Sequence, residues 1–203
     1  MSIYGKYAAF LPEILAELKN KIQNFNMNYQ KQTGQKLYEH LEGRIKTDKS
    51  MREKCQRKNL PETEYSALVE NRDAIGLRIV TNFVDDIYRI VDLLKAEADL
   101  TVVAEKDYIK VAKPNGYRSY HLILKKKTDF EDINGNRPGE YFVEIQLRTI
   151  AMDTWASLEH EMKYKHHIKN PERISKELKR VADELASCDL TMQTIRQLIK
   201  EDN

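Results

Sequence analysis

The sequence predicts an α+β fold in which a small mixed β-sheet is packed by helices, with a helix at each end of the chain. Two observations predict it. Near both ends, apolar residues recur every three or four positions, which is the period of an amphipathic helix. Between the ends, short segments rich in β-branched and aromatic residues alternate with further helical patterns. A chain of 203 residues is expected to form a single domain, 1–203, with a core at about 43–165 and terminal helices at 5–30 and 172–200.

The helices are predicted from apolar spacing and from capping residues. An apolar stripe from Tyr7 to Phe25 marks the first helix. Ser50 is the expected N-cap of a short basic helix through Lys58, with Glu53 at the capping-box position. Further helices are expected at 62–71, from Ile87 to Leu94, around Trp155, and beyond the break at Asn170-Pro171.

Four short strands are predicted, at 77–81, 101–104, 120–124 and 141–147. In the last of them apolar side chains alternate with Glu144 and Gln146, so the two kinds of residue lie on opposite faces. For one strand alone, a solvated sheet face explains such a pattern. Because His121 and Arg78 take the same kind of position in two other strands, we favour a polar site on the sheet.

The charge balance of the chain excludes several classes of protein. Lys and Arg total 34 and Asp and Glu total 32, so the net charge is +2 and no global field is expected to attract duplex DNA. No apolar run approaches the roughly 20 residues that span a bilayer, and the first residues do not resemble a signal peptide. We therefore expect a cytoplasmic protein with no membrane partner, in which Cys55 and Cys188 are reduced thiols.

A local basic cluster follows the first predicted helix. Its members are Arg44, Lys46, Ser50, Arg52, Lys54, Arg57 and Lys58. Helical spacing puts Ser50, Lys54 and Arg57 or Lys58 on one side, and the helix N-terminus adds its own attraction for anions. The competing interpretation is a solvated helix face, which is the usual place of a charge run.

Two carboxylates stand beside predicted strands. Asp73 lies at the entrance to one strand, and Glu144 lies within another that is otherwise apolar and aromatic, where an unpaired charge is costly to bury. Mg²⁺ typically takes one or two protein carboxylates and completes its shell with water and phosphate oxygens. Salt bridges to Arg78 and Arg148 are the competing explanation.

A predicted turn at Pro114-Asn115-Gly116 presents Lys113 and Tyr117 on either side of a stiff loop. A ring beside cations suits a nucleotide, because the base stacks on the ring while the cations meet phosphate. An ordinary hairpin with a half-buried tyrosine explains this loop equally well. The chain contains neither a zinc-protease His-Glu-x-x-His spacing, nor a Walker loop, nor a nucleophile elbow.

Four motifs in one order resemble those of the alarmone synthetases of the RelA/SpoT-homologue family. They are Arg44-Ile-Lys-x-x-x-Ser50, Asp73-x-x-Gly76-x-Arg78, Lys113-Pro-Asn-Gly-Tyr-Arg-Ser119 with His121, and Glu144-Ile-Gln-x-Arg148-Thr. The stretch from Ala151 to His160 then resembles the small, single-domain members. The resemblance covers about Gly43 to Lys165, and several motifs in register are far more specific than any one of them.

The resemblance implies a fold related to nucleotidyltransferases and a (p)ppGpp synthetase that is a GTP diphosphokinase. Such an enzyme transfers the β,γ-diphosphate of ATP, with Mg²⁺, to the 3′-hydroxyl of GDP or GTP and releases AMP. Small members are commonly homotetramers. No His is followed by Asp, the pair that the hydrolase domain of the long relatives carries, so the chain is expected only to synthesise.

The resemblance also implies roles for individual residues. Adenine would be clamped by Arg44 and Arg78, because guanidinium planes stack on a base. The triphosphate would be held by Lys46, Ser50, Lys54 and Arg57. Mg²⁺ would be bound by Asp73 and Glu144, and the attacking hydroxyl would be oriented or deprotonated by Glu144. Guanine would stack on Tyr117, and the rest of the acceptor would be lined by Lys113, Asn115, His121 and Gln146.

One departure and two alternatives stay open. Family members usually have Asp-Ile-Ala-Gly where this chain has Asp73-Ala74-Ile75-Gly76, which predicts altered packing with the acid and glycine still in place. A relative that pyrophosphorylates the 3′ end of tRNA as a toxin would use the same ATP half. A non-catalytic single-stranded RNA-binding module would use Tyr117 and the basic helix. The motifs do not choose between GDP, GTP and GMP.

Overall fold

The described residues form one five-stranded mixed sheet, which confirms the predicted fold class. The computed structural model describes residues 2–165 and 170–202. Its strands are β1 His40–Ile45, β2 Ile75–Thr81, β3 Leu100–Asp107, β4 Tyr120–Thr128 and β5 Gly139–Thr149. Their order across the sheet is β1-β2-β5-β4-β3. The β2–β5 pair is parallel and the other three pairs are antiparallel, so the two strands with predicted acids run side by side in one direction.

Five α-helices surround this sheet in the described part of the chain. They are α1 Leu11–Thr33, α2 Asp48–Arg57, α3 Val84–Lys95, α4 Ile150–Lys165 and α5 Pro171–Glu201. The expected first helix at 5–30 is divided, because a 3₁₀ turn covers Gly5–Ala9 before α1 begins. The helix expected at 62–71 is shorter and includes a π-helical turn at Ser66–Glu70.

The start of α2 differs from the prediction. Ser50 was expected to be the N-cap, and that prediction is wrong. Thr47 takes the cap in an extended conformation, and its Oγ1 accepts a hydrogen bond from the Ser50 backbone N–H at 3.3 Å. The helix therefore begins three residues earlier, and Ser50 lies in its first turn with its hydroxyl 3.0 Å from Thr47 Oγ1.

The core lies on one face of the sheet. Leu11, Ile14, Leu18 and Ile22 of α1 are all fully buried in it. The apolar sides of α3 and of the central strands complete the same cluster. Since side chains alternate along a strand, the polar residues of these strands point away from that core. The alternation predicted for β5 is confirmed: Tyr141, Val143, Ile145 and Leu147 are buried, while Glu144 and Gln146 are half-buried.

Helix α5 is fixed to the sheet by two buried polar contacts and a small apolar cluster. Thr149 Oγ1 donates to Asp189 at 2.7 Å, and Arg196 pairs with Asp86 of α3 at 2.8 Å. Trp155 of α4 packs against Leu178 and Ala182 of α5. These contacts place the first half of α5 beside the 113–119 loop. None of the helices in the described ranges, 2–165 and 170–202, is long and apolar enough to cross a bilayer.

Candidate active site

Two neighbouring rows of residues cross the polar face of the sheet. Within each row, the strand register places the residues directly opposite one another. The first row is Arg44, Gly76, Glu144 and Ile123, and the second is Glu42, Arg78, Gln146 and His121. Residues that lie more than a hundred positions apart in the chain therefore face one surface, about 4.8 Å from strand to strand.

A cavity of about 150 Å³ opens over β1 and β2. It is lined by Glu42, Gly43, Arg44, Gly76, Leu77, Arg78, Glu144 and Gln146. Gly76 forms its floor: a Cβ added there would meet only the Arg44 carbonyl oxygen, at 4.0 Å. The glycine thus leaves room between Arg44 on one side and Glu144 on the other. The structure brings the two predicted adenine-clamping arginines to the same cavity.

Asp73 lies just before β2 and is held by two lysines. Its Oδ2 is 2.8 Å from Lys46 Nζ and 2.5 Å from Lys54 Nζ, and the side chain is only 10% exposed. Its Oδ1 is buried and accepts no hydrogen bond. The predicted acid and two of the predicted phosphate-binding lysines are therefore in direct contact, and one carboxylate oxygen keeps a free lone pair.

Glu144 is an ionised carboxylate between two cavities. The His121 imidazole, whose Nδ1 lies 3.7 Å from Glu144 Oε1, holds the pKa of this carboxyl below its usual range. The Lys54 charge and the Gln146 amide, which donates to Oε2 at 3.4 Å, act in the same direction against burial. Glu144 lines the cavity over Gly76 and also a second one of about 80 Å³, together with Ala104, Glu105, Lys106, His121 and Ile123.

The competing explanation for the two acids was neutralisation by Arg78 and Arg148. In the structure both guanidinium groups instead face Asp153, at 3.5 and 2.8 Å. Asp73 and Glu144 share Lys54 as a neighbouring charge. Neither arginine therefore neutralises the two acids, whose basic partners are Lys46 and Lys54 for Asp73 and His121 for Glu144.

These residues fit a magnesium ion that is completed by a substrate. No three His, Cys, Asp or Glu side chains converge on a metal cage in the part of the chain that the structure describes. Mg²⁺ is commonly held by one or two carboxylates together with phosphate oxygens and water. The unpartnered Oδ1 of Asp73 and the Glu144 carboxylate would be the protein ligands of such an ion.

The 113–119 loop forms the predicted turn. The Gly116 N–H donates to the Lys113 carbonyl at 2.8 Å, and Gly116 has a φ of +89°, which a side chain would strain. Asn115 accepts from the Tyr117 N–H at 3.2 Å and donates to Glu159 of α4 at 3.2 Å. Asn115 therefore shapes the loop and ties it to α4.

Helix α5 packs tightly against this loop. A Cβ at Gly116 would lie 2.5 Å from the Cβ of Ala182, so glycine is required both by φ and by space. Arg118 donates to the Ala182 carbonyl at 3.1 Å. The loop is thus supported from outside by a helix more than sixty residues further along the chain.

Tyr117 is fixed at both its hydroxyl and its ring. The hydroxyl lies 2.8 Å from His121 Nε2 and accepts from Arg148 Nη2 at 3.0 Å. Trp155 meets the ring edge-on with centroids 6.2 Å apart, and the Lys113 ammonium lies 4.7 Å from the ring centroid. The sequence indicates a role for the ring only, whereas in the structure the hydroxyl also has two partners, His121 and Arg148.

These contacts close a ring of polar side chains. Glu144 accepts from Gln146, Gln146 accepts from Arg148 at 3.2 Å, and Arg148 donates to Tyr117. The Tyr117 hydroxyl meets His121, which faces Glu144 again. The predicted acceptor residues and the predicted base are therefore one connected network.

Two predicted phosphate-binding residues lie further out. Ser50 and Arg57 are exposed on α2, at helical spacings from Lys54 that put all three on one side. Because Lys54 contacts Asp73, that side of α2 is the one turned to the site.

The structure adds two contributions to the site that were not predicted. They are Asp153 and the hydrogen bonds of Arg148 in the polar network. In the sequence, Arg148 belongs to the fourth motif and Asp153 to the Ala151–His160 stretch, but neither pattern indicates that the two side chains meet.

Comparisons with known proteins give the same family as the motifs. Residues 43–169 match the family described as the region found in RelA/SpoT proteins. GTP pyrophosphokinase YjbM of Bacillus subtilis (strain 168) is 35% identical over 93% of this chain and 86% of its own length.

Solved structures agree over nearly the whole chain. The small alarmone synthetase 1 of Bacillus subtilis bound to its product pppGpp superimposes with a TM-score of 0.81 at 34% identity, covering 96% of this chain and 98% of that one. The same synthetase bound to AMPCPP gives a TM-score of 0.75 at 33% identity, covering 97% and 98%. With its four motifs on one sheet face, its matching family region and these relatives, the chain belongs to the RelA/SpoT family, among the small alarmone synthetases.

Proposed function

We propose that the protein is a Mg²⁺-dependent (p)ppGpp synthetase that transfers the β,γ-diphosphate of ATP to the 3′-hydroxyl of GDP or GTP and releases AMP. One observation carries the proposal. Glu144, an ionised carboxylate, lines both the cavity between Arg44 and Arg78 and the cavity beside His121. A group in that place borders the cavity assigned to the donor on one side and the residues assigned to the acceptor on the other.

The ligands of the solved relatives support the same reaction. One relative holds pppGpp as its product, which is a guanosine 5′-triphosphate that carries a diphosphate on its ribose. The other holds AMPCPP, an ATP analogue whose α and β phosphates are joined by a methylene group. Together they correspond to a diphosphate acceptor and an ATP donor that is cleaved between those two phosphates.

In the donor half, we assign adenine to Arg44 and Arg78, which line a cavity with a glycine floor. The triphosphate would then lie toward Lys46 and Lys54, with Ser50 and Arg57 on the same side of α2. Both lysines now pair with Asp73, so bound phosphate would share their charge with it. Guanidinium planes suit a stacked base, and ammonium groups suit phosphate as compact point charges.

The reaction then joins the two halves. The 3′-oxygen of the acceptor attacks the β-phosphorus of ATP, the bond between that phosphorus and the α,β-bridging oxygen breaks, and AMP leaves with that oxygen. Glu144 orients the hydroxyl and takes its proton, which its low pKa permits because the carboxylate stays ionised. When bound, Mg²⁺ held by Asp73 and Glu144 would offset phosphate charge. Positioning and charge neutralisation supply most of the catalysis in phosphoryl transfer.

In the acceptor half, we assign guanine to Tyr117 and the remaining surface to Lys113, Asn115, His121 and Gln146. The Lys113 ammonium lies over the Tyr117 ring, at 4.7 Å from its centroid. A stacking base would displace it, and the freed ammonium could then meet the acceptor's phosphates. The hydroxyl of Tyr117 would meanwhile keep its place through His121 and Arg148.

We further propose a homotetramer in the cytoplasm. The second half of α5 exposes large apolar side chains, among them Leu190 at 69% and Leu198 at 54%. A face of this kind is costly to leave in water and suits a subunit contact. Both cysteines, Cys55 and Cys188, are free thiols, as a reducing compartment requires. Light scattering on the wild type and on Leu198→Asp tests the assembly: a smaller mass for the variant supports the assigned face, and an unchanged tetramer refutes it.

The activity is tested by incubation with ATP, Mg²⁺ and, separately, GMP, GDP, GTP and tRNA. With label on the γ-phosphate, radioactivity is expected in ppGpp or pppGpp, and AMP is expected in equal amount. Label on the α-phosphate should appear only in AMP. Transfer to tRNA ends with GDP and GTP ignored would contradict the assigned acceptor. Binding without any AMP release would contradict the enzyme.

A further inference from the structure

One carboxylate joins the two halves of the site. Asp153 lies in the first turn of α4, and its Oδ1 is 2.8 Å from Arg148 Nη1 and 3.5 Å from Arg78 Nη1. Arg78 lines the donor cavity. Arg148 donates through Nη2 to the hydroxyl of Tyr117, in the acceptor half. A continuous path of charged contacts therefore runs from the donor arginine to the acceptor ring.

The geometry of this path leaves little freedom at its centre. The Arg148 side chain is only 10% exposed, and its Nε is buried and has no hydrogen-bond partner. Its orientation is thus set by the contacts of Nη1 and Nη2, and the first of these is Asp153. Arg78 is more exposed, at 37%, and pairs with Glu42 more loosely, at 3.8 Å. Arg78 is the more exposed end of the path and Arg148 the buried end.

We propose that Asp153 is a positioning residue that couples the two nucleotide sites, so that occupation of the donor cavity strengthens binding of the acceptor. The inference rests on the proposed function, since it takes the Arg44–Arg78 cavity as the donor site and Tyr117 as the acceptor site. Asp153 touches neither nucleotide. It acts through the two arginines that share its Oδ1.

Donor binding is expected to strengthen acceptor binding because both nucleotides need the same side chains to be held in place. A base stacked on Arg78 holds that guanidinium, and with it the Asp153 carboxylate to which it is paired. A carboxylate already held in place fixes Arg148 and, through it, the Tyr117 hydroxyl. The acceptor then loses less side-chain freedom on binding, which makes the second event more favourable. By linkage, the acceptor must strengthen donor binding by the same factor.

Calorimetry with AMPCPP and GDP on the full chain, with Mg²⁺, measures this coupling. The methylene bridge of AMPCPP blocks the transfer, so true dissociation constants are obtained. In the wild type, saturating GDP should tighten AMPCPP binding at least about fivefold, the lower end of typical coupling between sites, and AMPCPP should tighten GDP binding equally. In Asp153→Ala that factor should fall to near one, and in Asp153→Asn it should be intermediate, because the amide accepts a hydrogen bond without charge.

The matched control is Glu184→Gln, which neutralises an exposed carboxylate paired with Arg180 on α5 at 2.6 Å. It should keep the wild-type factor. A factor of one in the wild type, or the wild-type factor in Asp153→Ala, overturns the coupling while the nucleotide sites themselves stand. Equal weakening of both ligands with an unchanged factor assigns Asp153 a purely structural role. Should Asp153→Ala fail to fold, a wild-type factor in Asp153→Asn overturns the proposal. If neither ligand binds the wild type, the proposed function itself is wrong.

Discussion

The donor and acceptor halves of the site are built in different ways. The donor half comes mainly from one short stretch of chain, 43–78, which runs from β1 through α2 and the π-helical turn to β2. Its groups are arranged around an open cavity and held by ion pairs of Lys46 and Lys54 with Asp73. The acceptor half draws on the 113–121 segment, the end of β5, α4 and α5. Its groups are interlocked by hydrogen bonds and ring contacts around Tyr117.

This difference predicts how substitutions in each half affect the reaction. In the donor half, the space is already present and Lys46 and Lys54 pair locally with Asp73, so single changes away from Arg78 should act mainly on ATP. In the acceptor half, the ring of Tyr117, His121, Arg148 and Gln146 passes through Glu144, so a change in one member should also disturb the base. Four experiments test this contrast between the halves.

The largest effect is expected from Asp73→Asn. The change removes the charge that faces Lys46 and Lys54 and the proposed Mg²⁺ contact through Oδ1. Charge neutralisation at a transferring phosphoryl group is worth several kcal/mol, so turnover should fall on the order of a thousandfold. Steady-state rates measure the loss, and circular dichroism checks the fold. Glu62→Gln, which neutralises a carboxylate paired with Arg52 of α2, should turn over normally. Near-normal turnover by Asp73→Asn would remove it from the site.

Filling the donor cavity is expected to have the next largest effect. In Gly76→Val the new side chain enters open space, since its Cβ meets only the Arg44 carbonyl at 4.0 Å. A β-branched residue also suits a strand, so the fold should hold. The Michaelis constant for ATP should rise at least about tenfold, equivalent to ~1.4 kcal/mol, while that for GTP changes little. An equal rise in the Michaelis constants for ATP and GTP would show that the cavity does not bind ATP alone.

Two changes at Tyr117 separate its ring from its hydroxyl. Tyr117→Ala removes the stack, worth roughly 1–3 kcal/mol, so efficiency with GTP should fall about fivefold to a hundredfold through the Michaelis constant. Tyr117→Phe keeps the ring and breaks the contacts to His121 and Arg148. A net hydrogen bond is worth ~1 kcal/mol, so kcat should fall about fivefold with little change in the Michaelis constant. A Phe variant identical to the wild type would remove the hydroxyl network from catalysis.

The smallest effect is a shift in pH dependence. His121 is the main cause that lowers the pKa of Glu144, so His121→Asn should raise that pKa toward its ordinary value. A base with a raised pKa is protonated at a higher pH. The acid limb of the kcat profile should therefore move to higher pH, whereas His40→Asn, on exposed β1, should leave it in place. An unmoved limb in His121→Asn would assign the limb to a group other than Glu144.

Much of the fold can be predicted from the periodicity of apolar residues. The strand that this periodicity does not predict, β1, is missed for a physical reason. Strand β1 escaped prediction because it is an edge strand in which exposed His40, Glu42 and Arg44 alternate with half-buried neighbours, one of them Gly43. A glycine and three polar residues in six positions carry little strand signal. Central β5, with four buried apolar residues in alternation, could be predicted at once.

The two halves of the site also differ in how far the sequence predicts them. Lys46, Lys54 and Asp73 could be grouped from their motifs, and they meet in the structure. The link from Arg148 to Asp153 depends on the angle at which α4 leaves β5, which periodicity does not specify. The N-cap of α2 likewise depends on backbone geometry, because the structure uses Thr47 in place of the predicted Ser50.

The central claim is that Glu144 is the base between two nucleotide sites. It is tested most directly by Glu144→Gln, which keeps the shape of the side chain and removes its charge. Single-turnover transfer from ATP to GTP should be slower on the order of a thousandfold, while AMPCPP and GDP measured by calorimetry still bind within about tenfold of the wild type. Near-normal transfer by a correctly folded Glu144→Gln protein would contradict the account.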